Sequence, residues 1–347
     1  MHFASDNAGP AHPAVLEALT KANEGHAAPY GADPLTEEVI ARVRDIFEAP
    51  QAAVYLVATG TAANALALAS FCQPWQTVFG SDVSHIHEDE CAAPEFYSGG
   101  AKLTLVPNVD GKMPLDKLEA AITGEETRGV HGVQRGPISI TQATEKGTLY
   151  SLDDIAGISA LAKAHGLPVH MDGARFTNAL VGLGCTPAEM TWRAGVDALS
   201  FGGTKNGLMG VEAVVLFDPD KAWEFELRRK RGAHLFSKSR YLSAQMAAYL
   251  QEDRWLDMAQ RANAAAARLA SALQARDDCE LAYPVQANIL FARMPRHVHQ
   301  RLHDAGAQYY LWDGTLDGPG DEMVTARLVA DWTAADARID TFVQTMG

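Results

Sequence analysis

The chain has 347 residues, 47% of them apolar and 21% charged, close to the averages of soluble globular proteins and long enough for a large domain with a smaller one. A formal charge of −14, from 29 basic and 43 acidic side chains, opposes a phosphate backbone and excludes nucleic acid as the main partner; the one basic run, Arg228–Arg231, sits beside Glu224 and Glu226 as on a solvated helix face. No apolar run approaches the ~20 residues of a membrane span, no signal segment opens the chain, and four cysteines without paired spacing (Cys72, Cys91, Cys185, Cys279) suit reduced thiols in the cytoplasm.

From about residue 35 to 217, helix-like and short apolar segments alternate, the pattern of a wound α/β domain. Residues 35–48 carry apolar positions at helical spacing. Val54–Ala58 predicts a strand that runs into Thr59-Gly60-Thr61, and Ala62–Cys72 predicts a helix rich in Ala and Leu. Further strands are predicted at Thr77–Gly80, Lys102–Val106, Ile138–Thr141, Pro168–Asp172, Ala198–Phe201 and Glu212–Phe217, with helices at 114–122, 153–165 and 188–194. Gly166 and Pro168 stop the second of these helices just before its strand. Beyond about residue 220 the texture changes. Residues 221–232 and 239–275 read as helices, the latter with an Ala-rich stretch at Ala262–Ala267. Short strands near 286–293 and 323–329 follow, with a helix at 296–305 between them, making a smaller α+β domain.

Three segments carry chemistry. Pro168–Arg175 is an apolar strand that ends on Asp172, followed by Gly173 and Arg175. Ligands of wound sheets bind just beyond the carboxyl ends of the strands, so both side chains would face a crevice, although an Asp there also caps helices. Ala198–Phe201 runs into Gly202-Gly203-Thr204-Lys205-Asn206-Gly207, where glycines let the backbone approach a ligand closely. The GxxxxGK[ST] nucleotide pattern is absent. Thr59-Gly60-Thr61-Ala62-Ala63-Asn64 is a strand-to-helix turn whose free N–H groups suit a phosphate monoester. Together they provide a phosphate cup, an acid for a pyridine nitrogen and a lysine for an aldehyde, the requirements of pyridoxal 5′-phosphate.

Beyond these three, the chain carries Ser5-Asp6-Asn7, Tyr30-Gly31-Ala32-Asp33-Pro34, Ser84-His85-Ile86 and Arg327-Leu328-Val329. In that combination and order the sequence resembles the low-specificity L-threonine aldolases of the fold-type I (aspartate aminotransferase-like) pyridoxal-phosphate enzymes, over nearly its whole length. The resemblance implies an α/β fold: a large domain with a mixed, mostly parallel seven-stranded sheet, expected at 1–235, and a small C-terminal α/β domain at 236–347. It implies that Lys205 carries the cofactor, that Asp172 partners the pyridine nitrogen, that Gly60 and Thr61 hold the phosphate with Thr204 beside them, and that His85 stacks on the ring. Ser5, Arg175 and Arg327 would bind the amino-acid carboxylate, a task suited to planar guanidinium groups. The implied reaction is retro-aldol cleavage of L-threonine, L-allo-threonine and related β-hydroxy-α-amino acids to glycine and an aldehyde. β-Elimination and transamination on the same scaffold are the alternatives. A homo-oligomer, dimer or tetramer, is implied too, with Tyr30 reaching a neighbouring site.

One departure stands out. Some members of that family have a histidine after the strand matching Ile138–Thr141, whereas this chain reads Thr141-Gln142-Ala143-Thr144-Glu145. The group that takes the β-hydroxyl proton is therefore open between His85, His87 and a water. The run His85-Ile86-His87-Glu88-Asp89-Glu90-Cys91, read as an HxH pair on a strand followed by carboxylates, also offers metal ligands, but no metal is expected. His297, His299 and His303, on a predicted helix, are expected at the surface.

Overall fold

In the computed structural model, which describes residues 1–347, the apolar runs become strands that assemble side by side. Strands β1 (Ala53–Val57), β2 (Gln76–Ser81), β3 (Lys102–Val106), β4 (Gln134–Thr141), β5 (Val169–Gly173), β6 (Ala198–Gly202) and β7 (Glu212–Leu216) form one sheet in the order β1-β7-β6-β5-β4-β2-β3. β7 runs antiparallel to both of its neighbours, and every other pairing is parallel. The sheet is thus mixed, as expected. Its topology brings Thr141, Asp172 and Gly202, at the ends of β4, β5 and β6, to one edge, together with Glu212 at the start of the reversed strand β7.

Both faces of the sheet are covered, which explains why its strands read as apolar runs instead of alternating. Along β7, Ala213 and Val215 enter one core with Phe47, Phe176 and Tyr249, while Val214 and Leu216 point into another with Leu66 and Phe225. The helix Gly60–Phe71 is apolar around its whole circumference, with every residue from Ala62 to Ser70 buried, so it sits wedged against the sheet.

The C-terminal portion holds a second sheet, β10-β11-β9-β8, in which β9 (Ile289–Pro295) and β11 (Met323–Val329) are the long members and β8 (Glu280–Leu281) and β10 (Tyr310–Leu311) the short edges. One of its faces, with Leu290, Ala292, Ala326 and Leu328, packs on Leu269, Leu273 and Phe342. The other carries Ile289, Phe291 and Val329. Arg327 lies directly opposite Phe291 in the antiparallel register and shares this second face.

Three expectations need correction. The helix expected over 239–275 is two, Arg240–Leu250 and Arg254–Gln274, because Glu252 and Asp253 between them adopt positive φ values of 55° and 53°. The boundary expected at 235/236 does not follow the packing. Leu242, Met246, Tyr249, Trp255 and Met258 belong to the large core, and Ala265–Leu273 to the small one, so one helix passes from core to core. Phe3, at the other end of the chain, is buried in the small core. His299 is buried, not superficial: its Nδ1 meets the Tyr309 hydroxyl at 2.9 Å and its Nε2 the Val324 carbonyl at 3.0 Å.

Candidate active site

Asp172, near the end of β5, is buried, and its orientation is over-determined: Oδ2 accepts from Asn64 Nδ2 and Oδ1 from the Ala174 N–H, each at 2.9 Å. Beside it, β6 ends on Gly202, where a Cβ would lie 2.5 Å from the Ala174 carbonyl oxygen; only glycine lets the two strand ends approach so closely. The following turn, Thr204–Asn206, is pinned from below by Asn206 Nδ2, which donates to the Tyr249 hydroxyl at 2.8 Å and the Trp255 carbonyl at 2.9 Å. Glu212 closes it by accepting the Gly203 N–H at 2.6 Å. Lys205, held on this turn, has no carboxylate within 4.0 Å of its amine. Burial first, and then the Arg175 charge, pull that amine below the ordinary lysine range against the attraction of Asp6, Asp172 and Glu212.

At the end of β1, Thr59 caps the next helix by accepting the Ala62 N–H at 3.1 Å, and the Gly60 and Thr61 N–H groups are left without a helical acceptor. Space above Gly60 is open, since a Cβ there would meet nothing within 4 Å. The Thr204 Oγ1 is buried without a partner.

His85 opens a single helical turn, His85–Glu88, and does not lie on a strand. Residues two apart on a helix are separated by about 200°, so His85 turns inward while His87 is exposed to solvent. The metal reading of the HxH pair therefore loses its geometry. His85 Nδ1 instead meets Glu90 Oε1 at 2.9 Å. The same oxygen accepts from Asn64 Nδ2 at 2.9 Å, so one amide links Glu90 to Asp172. Ligand atoms of His85, Glu90 and Asp172 lie within 4.8 Å of one another, close enough to share a cation, but that Asn64 amide already donates to both carboxylates. The hydrogen bond to Glu90 raises the His85 pKa, whereas burial, reinforced by Asp172, raises that of Glu90.

The two arginines differ. Arg175 is buried, and its Nε and Nη2 grip Asp6 at 2.7 and 2.8 Å. Burial works to raise the Asp6 carboxyl, but Arg175, with Lys205 and Asn288, outweighs it and holds the group below the usual range. Arg327 has no such partner. Burial, then repulsion from Arg175, lowers its pKa to about 10. Ser5 precedes Asp6 in the chain, and its Oγ accepts the Asn7 N–H at 3.2 Å. Tyr30 stands apart, exposed, with the Lys230 amine 5.2 Å from its ring centre.

The structure adds groups that the sequence reading did not single out. Asp6 and Asn64 lay inside quoted segments, but their partners are far along the chain. Glu145 is held by two donors, the His85 N–H and the Thr141 hydroxyl, both at 2.9 Å. Burial raises both Glu145 and Glu212 to about 7. The available signal was weak for both acids: Glu145 follows a strand end and Glu212 opens a strand.

A buried acid and a lysine at adjacent strand ends of a mixed seven-stranded sheet, with a free helix N-terminus beside them, define the fold-type I class of pyridoxal-phosphate enzymes. The unpartnered lysine amine, the two free N–H groups below open space and the buried Thr204 hydroxyl are an arrangement that pyridoxal phosphate fits. A model of the beta-eliminating lyase family matches residues 2–295. Low-specificity L-threonine aldolases of Pseudomonas sp. (strain NCIMB 10558) and Pseudomonas aeruginosa are each 40% identical to this chain over 338 residues, covering 97% of it and 94% of theirs. The threonine aldolase of Leishmania major, 27% identical, superposes with a TM-score of 0.92 over 99% of this chain and 98% of its own. The chain belongs to the beta-eliminating lyase family and, within it, to the low-specificity L-threonine aldolases.

Proposed function

We propose that this protein cleaves L-threonine, L-allo-threonine and related L-β-hydroxy-α-amino acids between Cα and Cβ to give glycine and an aldehyde. The observation that carries this reading is the contrast between an unpaired Lys205 amine and an unpaired Arg327 guanidinium on one side and the His85–Glu90 pair on the other. When bound, pyridoxal phosphate supplies the electron sink for the pair left on Cα. The chain's own residues do the rest.

Gly60 and Thr61 would hold the phosphate through their N–H groups, and Thr204 would add its hydroxyl. Asp172, fixed by Asn64 and Ala174, would partner the pyridine nitrogen and keep it protonated. Lys205 would hold the cofactor through its amine, and burial favours the neutral, nucleophilic form that this would require. Arg327 takes the substrate carboxylate as a bidentate partner. Ser5 adds its O–H, and Arg175, whose Nε and Nη2 are committed to Asp6, adds only its remaining nitrogen. With Nδ1 turned to Glu90, His85 presents Nε2 to the β-hydroxyl and accepts its proton there as the Cα–Cβ bond breaks, in the manner of a histidine oriented by a carboxylate. His87 plays no part in this reading.

The same reading places the protein in the cytoplasm as a homo-oligomer, dimer or tetramer, with exposed Tyr30 turned to a neighbour's site. No helix is long and apolar enough to cross a membrane. The test is the visible spectrum of the purified protein, followed by L-threonine and a coupled measurement of acetaldehyde. A cofactor band with acetaldehyde and glycine is the expected result, and Lys205→Ala removes both. Ammonia or a keto acid in place of acetaldehyde would assign β-elimination or transamination instead.

A further inference from the structure

Lys146 occupies an odd position. It is only 7% exposed, yet no carboxylate lies within 4.0 Å of its amine. A buried cation without an anion is costly unless something else stabilises it. Glu88, Glu145 and Asp82 attract it from beyond pairing distance, and three aromatic rings meet it directly. The amine stands 4.5 Å from the centre of the Trp312 ring and 5.6 Å from those of Tyr283 and Phe291. Phe291 meets both other rings edge-on, at 5.3 Å to Tyr283 and 5.2 Å to Trp312, which fixes the box. The negative faces of such rings attract a cation, most strongly when water is excluded.

All three rings belong to the small sheet or its flanks, while Lys146 belongs to a turn that follows β4 of the large sheet. That turn is rigid: the Thr144 N–H reaches the Thr148 carbonyl at 3.0 Å, and their hydroxyls meet at 2.7 Å. It is wedged against β9, for Gly147 has φ of 79° and a Cβ there would lie 2.5 Å from the Ile289 carbonyl oxygen. Its neighbour Glu145 holds the His85 N–H. On the other side of the contact, Phe291 is the register partner of Arg327. The backbone N–H of Trp312 donates to the Thr325 carbonyl at 2.7 Å, tying the residue that carries the nearest ring to the strand that bears Arg327. One ammonium group thus joins the strand carrying the unpaired arginine to the turn that holds His85.

We infer that Lys146 is a positioning residue for substrate: docked in the Tyr283–Phe291–Trp312 box, it sets the small sheet, and with it Arg327, at the distance from His85 and Lys205 that one amino acid spans. This rests on the reading of Arg327 as the carboxylate partner. Both the charge and the rings are needed, so Lys146→Met, which keeps the stem, removes the effect and Lys146→Arg restores most of it. The cofactor groups lie on the large sheet and are untouched.

The experiment is steady-state kinetics of the holoenzyme with L-threonine for Lys146→Met, Lys146→Arg, Arg327→Ala and the Lys146→Met/Arg327→Ala double variant. Tryptophan emission, taken as the difference from Trp312→Leu, is read alongside. Lys146→Met should raise KM roughly 3- to 10-fold, the range that a partly shielded cation–π contact supplies, with kcat changed less. It should also shift the Trp312 emission, whereas Lys146→Arg should lie close to the parent in both. In the Arg327→Ala background the same substitution should change KM by less than about twofold, because the group it positions is gone. Trp312→Leu removes the nearest ring from a half-exposed site and should raise KM as Lys146→Met does; it carries the test if Lys146→Met fails to fold. A normal KM in Lys146→Met and Trp312→Leu, or a full Lys146→Met effect in the Arg327→Ala background, overturns the positioning role alone. An unchanged KM in Arg327→Ala overturns the carboxylate reading and the positioning role with it.

Discussion

The edge of the large sheet and the inner face of the small one treat their charged groups in opposite ways. Lys205 apart, the charged groups at the sheet edge are held by neighbours: Asp172 by Asn64 and Ala174, Arg175 by Asp6, and His85 by Glu90. Arg327, on the small sheet, has no ion-pair partner, and Lys146, on the turn docked against that sheet, is met at close range by aromatic rings, with carboxylates only further off. Groups that meet a cofactor kept through every turnover are oriented in advance, which lowers the reorganisation needed during reaction. A group that meets a substrate which comes and goes must stay unpaired to receive it, and its position has to be set by the frame around it.

Substitutions can break or sharpen that contrast. The largest effect is expected on the held side. Asp6→Ala strips Arg175 of its partner in a buried site, which typically costs about 3–5 kcal/mol, and denaturant unfolding of the parent and variant measures it. A loss comparable to that of an exposed pair would mean that the sheet edge is no more prepaid than the small face.

Glu90→Gln tests the orientation of His85. Without the carboxylate, the rate with L-threonine should fall by about 10²-fold, the lower end of what a positioned proton acceptor contributes. The sign of the pH effect follows from the pair. Glu90 raises the His85 pKa, so the neutral base is lost as pH falls through that raised value; the variant should move this acidic limb to lower pH. A kcat/KM profile with an unmoved limb would remove His85 as the titrating base.

On the unpaired side, Arg327→Ala should raise KM roughly 10- to 100-fold, as expected for the loss of charged hydrogen bonds, with little change in kcat and almost none in stability. A large loss of stability would show that Arg327 is structural and that the contrast is false.

The smallest effect is one of slope. Burial raises Glu212 to about 7 in the folded chain, above its ordinary 4.5. Its contribution to stability is complete below about 4.5 and lost as pH rises through about 7, because the folded state must then bury a charge. Glu212→Gln should flatten stability over that interval, read from unfolding midpoints at several pH values.

What the sequence by itself determined about this protein is whatever is written locally. Strands of the large sheet were legible because segments buried on both faces must be apolar runs ended by turn residues; the edge strand Lys102–Val106, mostly unburied, is the exception. Asp172, Lys205 and the Thr59–Asn64 turn were legible because glycines and a strand end restrict what can stand there. Even the break after Leu250 lay beyond that reach, since Gln251-Glu252-Asp253 contains neither Gly nor Pro and two non-glycine residues take positive φ there.

Tertiary structure alone decided the partners. Asp6 meets Arg175 across 169 positions, and Asn64 joins residues 26 and 108 positions away. Which of His85 and His87 faces inward depended on a single helical turn. The ring box around Lys146 is assembled from three separate segments, at 283, 291 and 312. Local propensity acts over a few residues, whereas these contacts are set by strand order and by the way one sheet is laid against another. An acid that pairs with a distant arginine leaves no local mark until the chain has folded.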